Sequence, residues 1–580
     1  MSETISEYVP QDLDAMNWGA LEPLIRGLLD RPVENAADLE RWLVDRSELE
    51  AAYSETQATL YINMTCDTGD EDAQKAYTAF IESIPPKFKP LAFELDRRQT
   101  ELSERFPLDA ERFGVLMRDT SADVSLFRDE NVPIQTELSK LSQRYDRIMG
   151  EMTVEFEGEE KTLPQMSVYF ESTDRSVREL AWRAVQSRRV RDREAVDGIY
   201  DEMIAQRDTM ARNAGFDNYV GYAFESKHRF DYTPAHCEAF HTACEEVIVP
   251  LLRRLDADRK EKLGVESLRP WDLAVDPKGR APLTPFKGGA DLVSKTASAF
   301  EKLDPRLASM FAELGDGANT SGASTGALLD LDTRKGKAPG GYQYMRDRQR
   351  KPFIFMNAAG LHRDVETMVH EAGHAFHSMV CVDEPLLHYR HSPIEFAEVA
   401  SMTMELLSMP YWGGKGGFYP DEADLARAQR KQLESSVTLL PWIATIDAFQ
   451  HWIYAHPKHT RDERTKAWIE LDERFGHATD WSGLDAERAS MWQRQGHLFG
   501  VPFYYIEYGI AQLGALGLWL TSIEKGESAA VEAYLKGLRL GGSRPLPDLF
   551  AASGLPFDFG PDTVRRLVDR VEAELAKLPE

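Results

Sequence analysis

Along most of the chain, apolar residues recur three or four positions apart with charged residues between them. That period places one apolar stripe on each helix and predicts a chain that is mainly α. "AADLERWLVDRSELEAAYSETQATLYINM" and "VRELAWRAVQSRRVRDREAVDGIYDEMIAQRDTMARNAGF" are the longest examples. Period-two alternation is rare. Met152–Phe170 alternates Val154 and Phe156 and turns at Gly158, which predicts a hairpin. Tyr342–Gly360 reads as two short strands joined by the charged turn "RDRQRK", the second being "PFIFMN". The glycine- and proline-rich connector Asp332–Tyr342 precedes them and is expected to be mobile. A divide near residue 200 is expected, with an N-terminal helical region (1–199) that carries the hairpin and a larger C-terminal region (200–580).

Composition narrows the function classes. Of 580 residues, 42% are hydrophobic, enough for several packed cores. The net charge of −28 argues against a nucleic-acid partner, because a phosphate backbone would be repelled by most of the surface. The basic run Arg188–Arg193 lies within a helical pattern and reads as a solvated face. The opening "MSETISEYVPQD" is acidic and has no apolar core, so no secretory signal is expected. The longest apolar run, Gly509–Ile523, is shorter than the ~20 residues that span a bilayer and contains Gln512. It is expected to be a buried helix, with no membrane partner. Four cysteines are too few for a disulfide scaffold. Cys237 and Cys244 lie seven apart and are expected to line one face of a helix without being bonded. A reduced, cytoplasmic protein is the expectation.

One segment breaks the pattern of apolar cores. "ETMVHEAGHAFHSMVC", Glu366 to Cys381, reads as a buried helix yet holds three histidines, a glutamate next to one of them and a mid-helix glycine. Unpaired polar groups in a core cost about 1–3 kcal/mol each, so something must compensate. His370-Glu371-Ala372-Gly373-His374 is an H-E-x-x-H pattern. Residues four apart share a helix face, so His370 and His374 can present imidazole nitrogens to one Zn²⁺ ion. Glu371 is rotated about 100° from His370 and reaches the open side of such an ion as a general base. His377 reads as a hydrogen-bonded core histidine.

A catalytic zinc takes three protein ligands, the third commonly a carboxylate. Ser392–Met409, "SPIEFAEVASMTMELLSM", is a helix with Glu395, Glu398 and Glu405. Glu398 and Glu405 share a face with Met402, so one can ligate while the other orients a ligand. Glu395, near the N-terminus, reads as compensation for the helix dipole. Periodicity leaves the choice of carboxylate open. Further along, Gln495–Gly514, "QGHLFGVPFYYIEYGIAQLG", groups His497 with Phe503, Tyr504, Tyr505 and Tyr508. These are either packing residues at the head of a buried helix or donors to an oxyanion formed when water attacks a carbonyl.

Together these segments resemble the M3 family of zinc oligopeptidases, and within it the oligoendopeptidase F group. "RDVETMVHEAGHAFHS" is similar to the family's active-site helix, and "FAEVASMTMEL" resembles its third-ligand helix, which implies Glu398 as the ligand. "HLFGVPFYYIEY" resembles its substrate-binding His/Tyr segment, "YLKGLRLGGSRPLPDLF" its C-terminal glycine-rich motif, and "PWDL" a further family motif. Ile506 stands where relatives often carry a tyrosine and Tyr505 is an additional one, so Tyr504 and Tyr505 compete as partner to Tyr508. The resemblance implies a two-lobed helical body with a deep central channel and one Zn²⁺ ion on its floor, bound by His370, His374 and Glu398. It implies strand pairing of substrate beside Phe353–Asn357, and a glycine-rich loop near the channel, with Gly340 and Gly341 as substrate-binding residues. It further implies that His497, Tyr505 and Tyr508 bind substrate and take part in catalysis.

The resulting expectation is a zinc-dependent endopeptidase acting on short peptides, with Glu371 as base and acid. A metal-dependent carboxypeptidase is the rival enzyme, with Arg494 as a candidate for capturing a terminal carboxylate. A catalytically silent peptide-binding protein is the rival of another class. The intact Glu371 speaks against it, since a binder needs no base.

Overall fold

A computed structural model describes residues 7–318 and 326–579, and most of them are helical. The elements that position the site are few. They are helix α1 (Ala36–Cys66), helix α2 (Pro234–Ala243), strands β3 to β5 introduced below, and four helices of the C-terminal half: α3 (His362–Val380), α4 (Ile394–Ser408), α5 (Glu422–Ala455) and α6 (Tyr505–Lys525).

Two apolar cores organise the helices. The smaller gathers residues from Val9 to Leu116 and takes Leu386 and Tyr389 from far along the chain. The larger runs from Leu126 to Leu575. Position 200 lies within the helix Arg193–Asn213, and the larger core draws on both sides of it. Polar clasps hold the distant segment of Leu386 and Tyr389 on the smaller body. Buried Arg390 meets Glu48 at 3.1 Å, and the Leu116 amide donates to the Tyr389 hydroxyl at 3.2 Å. Between the two bodies lies a cavity of about 460 Å³, lined by Glu50, Val115 and Asp119 from the smaller body and by Arg229, Glu395 and Glu507 from the larger.

The strands number five among the described residues. β1 (Thr153–Phe156) and β2 (Glu159–Thr162) form the expected hairpin, turning through Glu157 and Gly158, both with positive φ. β3 (Leu329–Asp332), β4 (Tyr342–Arg346) and β5 (Lys351–Ala358) form a sheet in the order β3-β5-β4. β4 and β5 are the expected antiparallel pair, in register from Tyr342 opposite Phe355 to Arg346 opposite Lys351. β5 also pairs with β3, in parallel. Both edges of β5 are occupied, so a substrate strand expected beside Phe353–Asn357 has only the outer edges of this sheet, on β4 and β3, to pair with. The connector expected to be mobile is tied down. The Asn357 side chain donates to the carbonyls of Ala338 and Gly340, and buried Lys337 pairs with buried Asp330 at 2.8 Å.

β5 ends at Ala358, and α3 starts after a three-residue turn, at His362. Asp364 turns back to accept from the amides of Ala359 and Leu361, at 2.8 and 2.9 Å, which satisfies donors at the helix entrance. The helix then buries Val365, Met368, Val369, Ala372, Ala375 and Phe376. α6, the apolar run of the sequence, is buried along most of its length. It lies against α4 so closely that a β-carbon on Gly514 would stand 2.7 Å from Val399. No helix among the described residues is long and apolar enough to cross a membrane.

Candidate active site

The mid-helix glycine of α3 has a steric reason. A β-carbon on Gly373 would meet the Ala400 carbonyl oxygen at 2.5 Å and the Ser401 Cα at 2.6 Å. Without it, α3 and α4 lie backbone to backbone, and the side chains flanking the gap face one another. Glu398 Oε2 stands 3.4 Å from His370 Nε2 and 3.6 Å from His374 Nε2. These three side chains form a cluster whose ligand atoms lie within 4.8 Å of one another. Ligands bonded to a tetrahedral ion at about 2.0–2.2 Å stand about 3.3–3.6 Å apart, so the donor set fits a zinc ion.

Each donor is held. Glu405 accepts from His370 Nδ1 at 2.7 Å, which leaves Nε2 for the cluster, and Gln432 of α5 donates to the other oxygen of Glu405 at 3.0 Å. The Ser401 hydroxyl donates to Glu398 at 2.9 Å. Burial opposes charge on Glu398, but His374, His370 and Ser401 hold its carboxyl down at about 2. Burial pushes the His374 imidazole down to about 4, leaving it neutral. Burial works against charge on His370 too, yet Glu398 and Glu405 raise its pKa well above the usual range, so this position calls for positive charge. Glu371, next along the helix, is buried and its Oε2 has no hydrogen-bond partner. Burial raises its carboxyl to about 7 against the pull of His370 and the Gln343 amide of β4.

The aromatic segment gathers around His497. Its ring centroid lies 4.9 Å from Tyr505, 5.5 Å from Tyr504 and 6.1 Å from Tyr508. Burial, then the charge of Glu398, push the Tyr508 phenol well above its usual range. For Tyr504, burial, Tyr508 and Glu398 do the same. Burial also raises Tyr505, but the groups that pull it back are Trp442, Gln495 and Arg494. The charge of Glu398 thus reaches Tyr504 and Tyr508, whereas the polar neighbours of Tyr505 are Trp442, Gln495 and Arg494. The segment is aimed by Phe503, whose φ of 62° is uncommon for a bulky residue. Gln450 of α5 accepts from its amide at 2.5 Å, and the buried Arg229 donates to its carbonyl.

The family model described as peptidase family M3 matches residues 168–559, and a second, the peptidase M3 N-terminal domain, matches residues 11–127. The chain belongs to peptidase family M3. Within that family it is similar to the oligoendopeptidase F homolog of Borreliella burgdorferi, 28% identical over 210 residues, which is 34% of this chain and 34% of that protein. It is 24% identical over 339 residues to the oligopeptidase PepF of Bacillus subtilis, covering 57% of this chain and 47% of that protein. The alignments thus span about a third and about a half of these curated relatives. A solved structure of PZ peptidase A with an inhibitor superposes with a TM-score of 0.85 at 28% identity, over 98% of this chain and 99% of that one. Oligoendopeptidase F of Enterococcus faecium shares the fold, with a TM-score of 0.62 at 17% identity over 96% of both chains.

His377 is buried beside Phe396 and neutral, its imidazole pushed down to about 3 by burial, but its Nε2 has no hydrogen-bond partner. Glu395 lies in the first turn of α4, the place expected of an acid that offsets the helix dipole, and it is also buried and accepts from Tyr232 at 2.7 Å. Gly340 and Gly341 stand at the entrance to β4, with Gly341 packed towards the Phe355 carbonyl and Thr367 of α3. Four contributors escaped the sequence reading. Ser401 sits one turn from Glu398, a signal that was there to be read. Gln432, Gln450 and Arg229 reach the site from distant helices or loops, and nothing in their local sequence marks them.

Proposed function

We propose that this chain is a zinc-dependent endopeptidase that hydrolyses short peptides. One observation carries the reading: His370, His374 and Glu398 converge on a single point while the adjacent, buried Glu371 keeps a free carboxylate oxygen. A zinc ion held by those three residues would supply a Lewis acid that polarises the scissile carbonyl and makes water a stronger nucleophile at neutral pH. Glu371 accepts the proton of the attacking water and hands it to the leaving amine. Tyr508, whose raised pKa keeps its phenol protonated, donates to the oxyanion together with His497. Of the two candidates to share this role with Tyr508, we assign it to Tyr504, which the charge of Glu398 reaches. Tyr505, among Arg494 and Gln495, lines the substrate path. The substrate backbone pairs with the free edge of β4, entered past Gly340 and Gly341, whose Gln343 amide points toward Glu371. The four buried free thiols support a reducing, cytoplasmic setting.

Digestion of a mixed peptide pool, with cleavage sites read by mass spectrometry, tests the reading. Internal cleavage of peptides blocked at both ends, abolished by chelator and restored by zinc, is expected. Cleavage confined to free C-termini would instead make this a carboxypeptidase, and binding without cleavage would make it a peptide-binding protein.

A further inference from the structure

We propose that the chain holds a second metal ion, bound by Cys237, Asp447 and His451 between α2 and α5, with His241 positioning Asp447. The residues come as two helical pairs. Cys237 and His241 are four apart on α2, and Asp447 and His451 are four apart on α5, so each pair occupies one helix face. Where the helices meet, the Cys237 sulfur, a carboxylate oxygen of Asp447 and a ring nitrogen of His451 lie within 4.8 Å of one another. Sulfur, nitrogen and oxygen donors in one set are those of a zinc-type site.

The hydrogen bonding points the same way. His241 Nε2 lies 2.9 Å from Asp447 Oδ2, which occupies that oxygen. Asp447 is fully buried, and its other oxygen, Oδ1, has no partner. His451 Nε2 is also without a partner, at 3.4 Å from Asp447 Oδ2. A plain aspartate–histidine pair accounts for His241 but leaves the thiol, Oδ1 and the second imidazole unexplained. A divalent cation satisfies all three. On binding, the Cys237 thiol gives up its proton to solvent, and the thiolate and carboxylate together neutralise the ion. The surroundings favour a neutral cluster: Phe224 and Phe503 flank His451, and Phe240 and Phe475 flank His241.

This site is separate from the one described above. Gln432, which touches Glu405, lies fifteen residues before Asp447 on α5, about 22 Å along the axis. Its effect on the enzyme is still direct, because Gln450, which fixes Phe503 at the head of the tyrosine segment, sits between the two α5 ligands. An ion here pins that turn of α5 to α2.

Cobalt separates the two sites, because only one of them contains a thiolate. The full chain would be stripped with chelator and reloaded with Co²⁺, and metal content and near-ultraviolet absorption recorded for wild type, His374→Ala and Cys237→Ser. Wild type should bind two ions per chain and His374→Ala one, with a thiolate-to-cobalt charge-transfer band in both. Cys237→Ser should lose that band and one ion. The band in His374→Ala needs no change at residue 237, so the test stands even if Cys237→Ser fails to fold. A reloaded wild-type protein without the band, or a His374→Ala protein that binds no metal, would overturn the proposal.

Discussion

Gly373 of α3 lies so close to Ser401 of α4 that the missing β-carbon is what lets Glu398 reach the two histidines. Replacing it with alanine forces the helices apart. Overpacking of this kind costs about 1–3 kcal/mol. Gly373→Ala should therefore lower both the melting temperature and the zinc content, even though no ligand is changed. A variant with wild-type stability and metal affinity would mean the close approach is not what aligns Glu398.

Glu405 touches no metal in this scheme, yet it fixes which nitrogen of His370 is free. Removing such an outer partner typically weakens metal affinity about 10–100-fold. Glu405→Ala should show that loss in competition with a chromophoric chelator, and Gln432→Leu a smaller one, because Gln432 acts only through Glu405. Equal effects from the two substitutions would place Gln432 closer to the metal than we infer.

Glu371→Gln leaves every proposed ligand in place, so zinc content should match wild type while peptide cleavage nearly disappears. Both are measured on one preparation. Substantial remaining turnover would move the base elsewhere.

The parts of this site that were legible are those where chemistry and spacing coincide in a short run. His370, Glu371 and His374 fall within five consecutive residues, and Glu398 and Glu405 share one helix face, so helical geometry alone brought them into view. Gly373 was visible as an oddity, but which backbone it makes room for depends on how α3 and α4 cross. The left-handed Phe503 had no signal, because its conformation is imposed by Gln450 and Arg229, partners far away in the chain. β3 was missed for a related reason. Its "LDLD" reads as polar, and only in the fold does Asp330 become a buried ion-pair partner of Lys337 and Arg334.

The "PWDL" segment makes a prediction about stability. Asp272 is fully buried and accepts from Arg175 at 2.7 and 2.9 Å and from buried Arg178 at 3.0 Å. Burial opposes its charge, but hydrogen bonds from Arg175, the Arg269 amide and Arg178 prevail and hold its carboxyl below the usual range. A carboxyl depressed in the folded state gives its full stabilisation above its unfolded pKa, about 3.9, and loses it as pH falls towards the folded value. Asp272→Asn should destabilise the fold at neutral pH, since buried Arg178 loses its charged partner and keeps only the carbonyls of Trp271, Ser172 and Thr173. It should also flatten the acid limb of the stability curve. Urea titrations at several pH values check both, and an acid limb as steep as wild type would remove Asp272 from the account.

Tyr508 separates an oxyanion donor from a packing residue. If its phenol donates to the oxyanion, the bond strengthens as charge develops, so Tyr508→Phe should lower kcat with little change in KM. Loss of one such donor costs roughly 10²–10³-fold in rate, or about 2.7–4 kcal/mol. The ring remains, so its packing against Tyr504 and Tyr505, at centroid distances of 5.1 and 5.7 Å, survives and the melting temperature should hardly move. Tyr504 and Tyr505 then supply the internal comparison. Tyr504 senses Glu398 and should lose rate on conversion to phenylalanine, whereas Tyr505, among Trp442, Gln495 and Arg494, should change KM instead. A rate loss in Tyr505→Phe with none in Tyr504→Phe would restore Tyr505 as the shared donor. A Tyr508→Phe enzyme with wild-type kcat would leave these tyrosines as the packed head of a buried helix.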